Sequence, residues 1–141
     1  MKQMVKVLTL QQPYAHYCIF GNSYVEFDKR VDPDIKDVEN RNWYSAFRGR
    51  LYIQAGKTWY DGADTRNDVR DYYPEAFATM TAELGYIIGH VDMVDCVKGS
   101  PSPWFFGPYG FVFENATPLV APIAIRGSLG IWNTRIEIEV A

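Results

Sequence analysis

YIIGHVDMVDCV, residues 86–97, decides the fold class. β-Branched residues crowd it, and apolar positions roughly alternate with polar ones, the period-two pattern of a strand. Immediately upstream the period changes. Val69, Tyr73, Ala76, Phe77, Met80 and Leu84 recur at intervals of three and four, and Gly85 follows as a stop, which predicts a helix over 71–84. Earlier still, LYIQA (51–55), between Gly49 and Gly56, and VKVLTL (5–10) read as strands. QQPYAHYCIFG (11–21) reads as one short helix, with Pro13 suited to its first turn and Gly21 to its C-terminal cap. Residues 21–35 lack periodicity and form a loop or insertion. Downstream of 86–97 comes a Pro/Gly-rich loop, KGSPSPWFFGPYG (98–110). GFVFENA (110–116) and APIAIRG (121–127) then read as strands parted by Thr117-Pro118, and LGIWN precedes a last strand, Arg135 to Val140.

Six or seven short strands with two or three helices make a mixed α/β chain that is mostly β. The expected architecture is a small β-barrel, because closing the sheet removes the exposed edges of so many short strands. With 141 residues the expectation is one domain spanning 1–141, long enough to bury about two thirds of its unfolded surface.

Composition narrows the function classes. The formal net charge of −3 argues against a non-specific polyanion coat, which needs a basic excess to displace counterions. A local basic site stays open: seven of the fourteen Lys and Arg lie between Lys29 and Lys57. From Arg41 to Lys57 there are four basic residues (Arg41, Arg48, Arg50 and Lys57) and no acid. The alternative is a solvated basic face. Aromatics reach 16%, enough to fill a small core or to supply platforms for flat ligands. Two cysteines, Cys18 and Cys96, form no CxxC, and the amino terminus has too short an apolar run for a signal sequence. Both points, with no apolar window of about 18 residues, predict a cytoplasmic protein that neither crosses nor sits in a membrane.

KDVENRNW, residues 36–43, is the most unusual polar stretch. Taken as extended chain, its period of two puts Glu39, Arg41 and Trp43 on one face, as a binding wall or as a surface ion pair beside a half-buried ring. Lys36 meets Glu39 only if the chain bends between them. Four rings in six residues, Trp104, Phe105, Phe106 and Tyr109, either plug one end of the barrel or form a stacking surface. No metal is expected: His16 and Cys18 do not share a helical face, and His90, Asp92 and Cys96 share strand parity without a second cluster. GxGxxG, GxxxxGK[ST] and GxSxG are all missing, so nothing points to a cofactor or to a Ser or Cys nucleophile.

Taken in order, LTLQQPYA, KDVENRNW, FRGRLYIQAGK, YIIGHVDMVDCV, SPWFFGPYGFVFEN and PIAIRGSLGIWN resemble the ASCH family over about residues 5 to 133. That resemblance implies a PUA-like β-barrel and a connection with RNA binding and RNA metabolism. The family signature GxKxxExR is matched by DIKDVENR at Lys36, Glu39 and Arg41, with Asp34 in place of the glycine and residues 21–33 inserted before it. In relatives the signature lines a cleft between the barrel and the first helix. The resemblance therefore makes Lys36, Glu39 and Arg41 the leading site residues, with Tyr14 (where QPW is commoner), Trp43, Lys57 and Trp104 as cleft neighbours. One branch of the family resembles an acetylcytidine amidohydrolase that uses Lys, Thr and Glu. Its Thr stands where this chain has Glu39, so that activity is not carried over. A ribonuclease activity is attributed to some ASCH proteins.

Two functions follow as expectations. The first is a binding module for RNA, single-stranded nucleic acid or a modified nucleotide: Arg41, Arg48, Arg50 and Lys57 contact phosphates, Trp43 or Trp104 stacks a base, and Glu39 reads its polar edge. The second is a small hydrolase for a modified nucleoside or RNA, with Lys36 as base and Glu39 as acid. A protein-interaction domain is the third, marked by a large exposed apolar patch.

Overall fold

The computed structural model describes residues 2–21 and 35–137. Six strands form one sheet in the order β2-β5-β4-β3-β1-β6, with β1 at Lys2–Gln12, β2 at Val38–Arg41, β3 at Gly49–Trp59, β4 at Tyr86–Val97, β5 at Tyr109–Ala124 and β6 at Ile131–Glu137. All neighbours are antiparallel except β1 and β3, which run parallel with Val7 opposite Tyr52 and Leu10 opposite Ala55. Among the described residues there are three helices: α1 at Tyr14–Phe20, α2 at Ala63–Tyr72 and α3 at Pro74–Ala82.

The mostly-β expectation holds, but the barrel does not close. Among the described residues β2 and β6 remain the two edges of the sheet. β2 pairs along one edge only, with β5, from Val38 opposite Val112 to Arg41 opposite Tyr109. The expected helix over 71–84 is also corrected. Tyr73 is extended at φ −139° and ψ 65°, as the residue before Pro74 must be, since the pyrrolidine ring excludes it from helical geometry. The apolar stripe therefore straddles two helices, Val69 buried from α2 and Ala76 and Met80 from α3. GFVFENA and the first four residues of APIAIRG belong to one strand, β5, which ends at Ala124 and whose pairing with β4 shifts between Gly89–Pro118 and Ile87–Ile123. The insertion before Lys36, the substitution at Asp34 and residues 138–140 of the last strand lie outside the described residues.

Apolar side chains cover both faces of the sheet. Leu8, Leu10, Leu51, Ile53, Val91 and Phe111 pack under α1, which contributes Ala15, Cys18 and Ile19. On the other face Val5, Val7, Tyr52, Ile87 and Ile136 form a second cluster. β1 serves both because its buried parity switches between Val7 and Leu8. A third cluster joins Tyr17, Trp59, Met80 and Trp104 beneath α2 and α3. Gly89 allows α1 to approach β4: a Cβ there would stand 2.6 Å from the Thr117 carbonyl and 2.8 Å from Ile19 Cγ2.

Candidate functional site

α1 and β2 bring the signature residues together. Gly21 caps α1 at φ 79°, and its N–H donates to the Tyr17 carbonyl. That same carbonyl accepts the Lys36 N–H at 2.9 Å. Lys36 thus starts β2 from a point set by the helix. Val38 faces the core, while the strand's period of two turns Glu39 and Arg41 to the other side.

Glu39 bridges two cations. Its Oε1 accepts from Lys36 Nζ at 2.9 Å and its Oε2 lies 3.1 Å from Arg41 Nη2. Lys36, only 3% exposed, donates a further hydrogen bond to the Val38 carbonyl. Its ammonium lies 5.8 Å from the centre of the Tyr14 ring and 6.0 Å from that of Trp104, within reach of a cation–π attraction.

These groups line a cavity of about 700 Å³ with Thr9, Leu10, Gln11, Asn40, Tyr60, Pro103 and Phe106, a volume typical of small-ligand clefts. Asn40 builds the wall opposite the ion pairs. Its amide donates to the Trp104 carbonyl at 2.9 Å, and its Oδ1 accepts from the N–H groups of Phe106 and Gly107. Ser102 fastens the same loop to Asp37 at 2.6 Å. The aromatic loop divides its labour: Trp104 is 6% exposed and packs on Tyr17, whereas Phe106 stands 78% exposed at the cavity. Tyr60 meets Tyr14 edge-on at 5.0 Å. Burial, with help from Tyr60, Asp61 and Glu39, pushes the Tyr14 phenol up to about 12, so it stays protonated at neutral pH.

Two buried donors on residues of this lining, Arg41 Nε and Trp104 Nε1, have no hydrogen-bond partner among the described residues. Buried polar groups are nearly always satisfied.

The remaining expected site residues lie elsewhere. Trp43 follows the end of β2, is 38% exposed and leans edge-on against Phe111 at 5.1 Å. Arg48 binds the Ser45 carbonyl at 2.9 Å and lies 3.6 Å from Asp95, and Arg50 sits opposite Asp92. Lys57 borders a different cavity. The acid-free run from Arg41 to Lys57 is thus broken up by acids of β4, which sequence order does not reveal. Conversely, Asn40, Tyr60 and the Thr9–Gln11 backbone were not foreseen. Tyr60 reaches the cavity because its N–H bonds the Gln12 carbonyl at 2.7 Å, at the end of the parallel β1–β3 pairing. Cys18 has no nucleophilic role here: burial pushes its thiol up to about 12. His90 packs edge-on against Tyr52, and among the described residues no group of three metal-ligating side chains occurs.

No family model matches the chain. Human (Homo sapiens) Activating signal cointegrator 1, which carries an ASCH domain, aligns with 94% of the chain at 24% identity over 149 residues. The chain is ASCH-like. Its mouse (Mus musculus) counterpart matches with the same identity and coverage. The ASCH-like chain spans about a fifth of the length of these curated relatives, 22% in each case. Among solved structures it is similar to a mutant of ZmASCH from Zymomonas mobilis, with a TM-score of 0.42 and 14% identity over 85% of this chain and 75% of that one.

Proposed function

We propose that the Lys36–Glu39–Arg41 cavity binds a single-stranded segment of RNA or another nucleic acid, or a modified nucleotide within one. The observation that carries this reading is the cavity itself, where ion-paired polar groups, aromatic walls and two unpartnered buried donors share one space. A nucleobase fits that combination chemically. Its faces match the rings of Tyr14, Tyr60 and Phe106, and its polar edge matches the charged groups of Lys36, Glu39 and Arg41. A phosphate or ribose acceptor would suit Arg41 equally. Two free, buried cysteines support placing the protein in the reducing cytoplasm.

Binding of labelled single-stranded RNA and DNA at low salt tests the reading, with Lys36→Met as the comparison. Binding by the unaltered chain that weakens at least tenfold in the variant is expected. No binding at low salt overturns it. The direct Lys36–Glu39 contact keeps a second reading in view, a hydrolase for an acylated nucleoside or RNA. Turnover that vanishes in Lys36→Met while binding persists would favour that reading instead.

A further inference from the structure

A second cavity adjoins the first, and we propose that it holds a backbone phosphate of the nucleotide next to the one bound beside Lys36. The proposal rests on the nucleic-acid reading above and deepens it, since it makes the ligand a polynucleotide strand rather than a free nucleoside. This cavity is also about 700 Å³, and Thr9 of β1 lines both.

The second cavity is basic. Lys57 and Arg126 line it, no described Asp or Glu does, and neither cation is ion-paired with a described residue. That separates them from Arg48, which lies 3.6 Å from Asp95. The wall that carries the two cations is held in place. Gln54 is 1% exposed, and its amide donates to the Ile125 carbonyl at 2.6 Å and the Gly85 carbonyl at 3.3 Å. Ile125 N–H also bonds the Gly85 carbonyl at 3.2 Å. Arg126 is thereby presented from a fastened segment, and the Lys57 stem lies against Gly85, where a Cβ would stand 3.7 Å from Lys57 Cε.

The balance of charge over the two cavities supports a strand. Among the described residues that line the two cavities, Lys36, Arg41, Lys57 and Arg126 stand against one acid, Glu39, with Asp61 also acting on Tyr14, on a chain whose formal net charge is −3. The chain as a whole repels a polyanion, but this surface attracts one. Unpaired lysine and arginine are the usual phosphate partners and confer no base selectivity.

The test is the double variant Lys57→Gln/Arg126→Gln, both exposed positions. It is titrated against a short single-stranded RNA, the DNA of the same sequence, and a nucleoside, over a range of salt concentrations. Lys36→Met serves as the first-cavity control. Oligonucleotide affinity should fall about tenfold, and the salt slope should flatten by about 0.7 for each phosphate no longer neutralised. The weakening should be equal for RNA and DNA, with nucleoside binding unchanged. An unchanged affinity and slope for the oligonucleotides overturns the second-cavity proposal alone. So does a weakening confined to RNA, which would mark recognition of a 2′-hydroxyl instead of a phosphate. Oligonucleotides that fail to bind the unaltered chain overturn the underlying reading and this proposal together.

Discussion

Glu39 is the residue on which the candidate site turns, because its one carboxylate faces two cations. Lys36 is almost fully buried, so losing Glu39 strands it in a way that breaking a surface pair would not. Removing one partner of a buried pair strands the other and costs about 3 kcal/mol, more than the pair itself contributes. Glu39→Gln should therefore destabilise the protein by about that amount in urea denaturation. Lys36→Met should cost clearly less, since Glu39 keeps Arg41 at 3.1 Å. The double variant should recover part of the Glu39→Gln loss. Equal costs for both single variants would mean that the carboxylate is not what keeps the ammonium buried.

At the scale of elements, the position of α1 decides where Tyr14 and Lys36 stand, and a buried polar network sets it. Gln12 at the end of β1 accepts the His16 N–H at 3.0 Å through its Oε1 and donates to Glu83 and to the Met80 carbonyl. His16 Nδ1 lies 2.9 Å from the same Glu83 carboxylate, just beyond α3. β1, α1 and α3 are thus tied at one point. Glu83→Ala leaves both Gln12 Nε2 and His16 Nδ1 without that acceptor, and a buried donor left unsatisfied costs about 1–3 kcal/mol. The variant should be destabilised by about 3 kcal/mol, with faster amide exchange in α1 than in β4. Uniform exchange across the two elements would show that the network does not position the helix. The short length of α1, seven residues, makes this external support necessary, since so short a helix has little stability of its own.

For the molecule as a whole, pH-dependent stability should carry the signature of His90. Burial lowers its pKa from the usual 6.5, Arg50 lowers it further, and Asp92 opposes the shift; Tyr52 and Thr117 face it across the two neighbouring strands. Since the folded imidazole is the weaker base, the unfolded chain binds the extra proton. His90 then contributes stability that is complete above about pH 6.5 and is lost as pH falls through the lowered folded value. Denaturation of the protein and of His90→Gln between pH 4 and 8 checks this: the difference between the two should change over that window and level off below it. A constant difference would show that His90 titrates alike in both states.

The local grammar of the chain determined most of its elements. Alternation over 86–97 marked β4 with its observed bounds, Gly21 and Gly85 marked stops where the backbone takes a positive φ, and the Lys36–Glu39–Arg41 spacing put two charges on one side of a short strand. These features are properties of neighbouring residues, so the order of residues suffices to find them. Pro74 was equally legible, yet the apolar periodicity across it masked a break between two helices. Only the tertiary structure decided which strands pair, and with it which charges stand near one another. The β3–β4 register sets Asp92 opposite Arg50, Asp95 approaches Arg48, and the β1–β3 pairing delivers Tyr60 to one cavity and leaves Lys57 at the next. Fields between charges and the walls of a cavity depend on distance through space, and residues far apart in the chain supply them here.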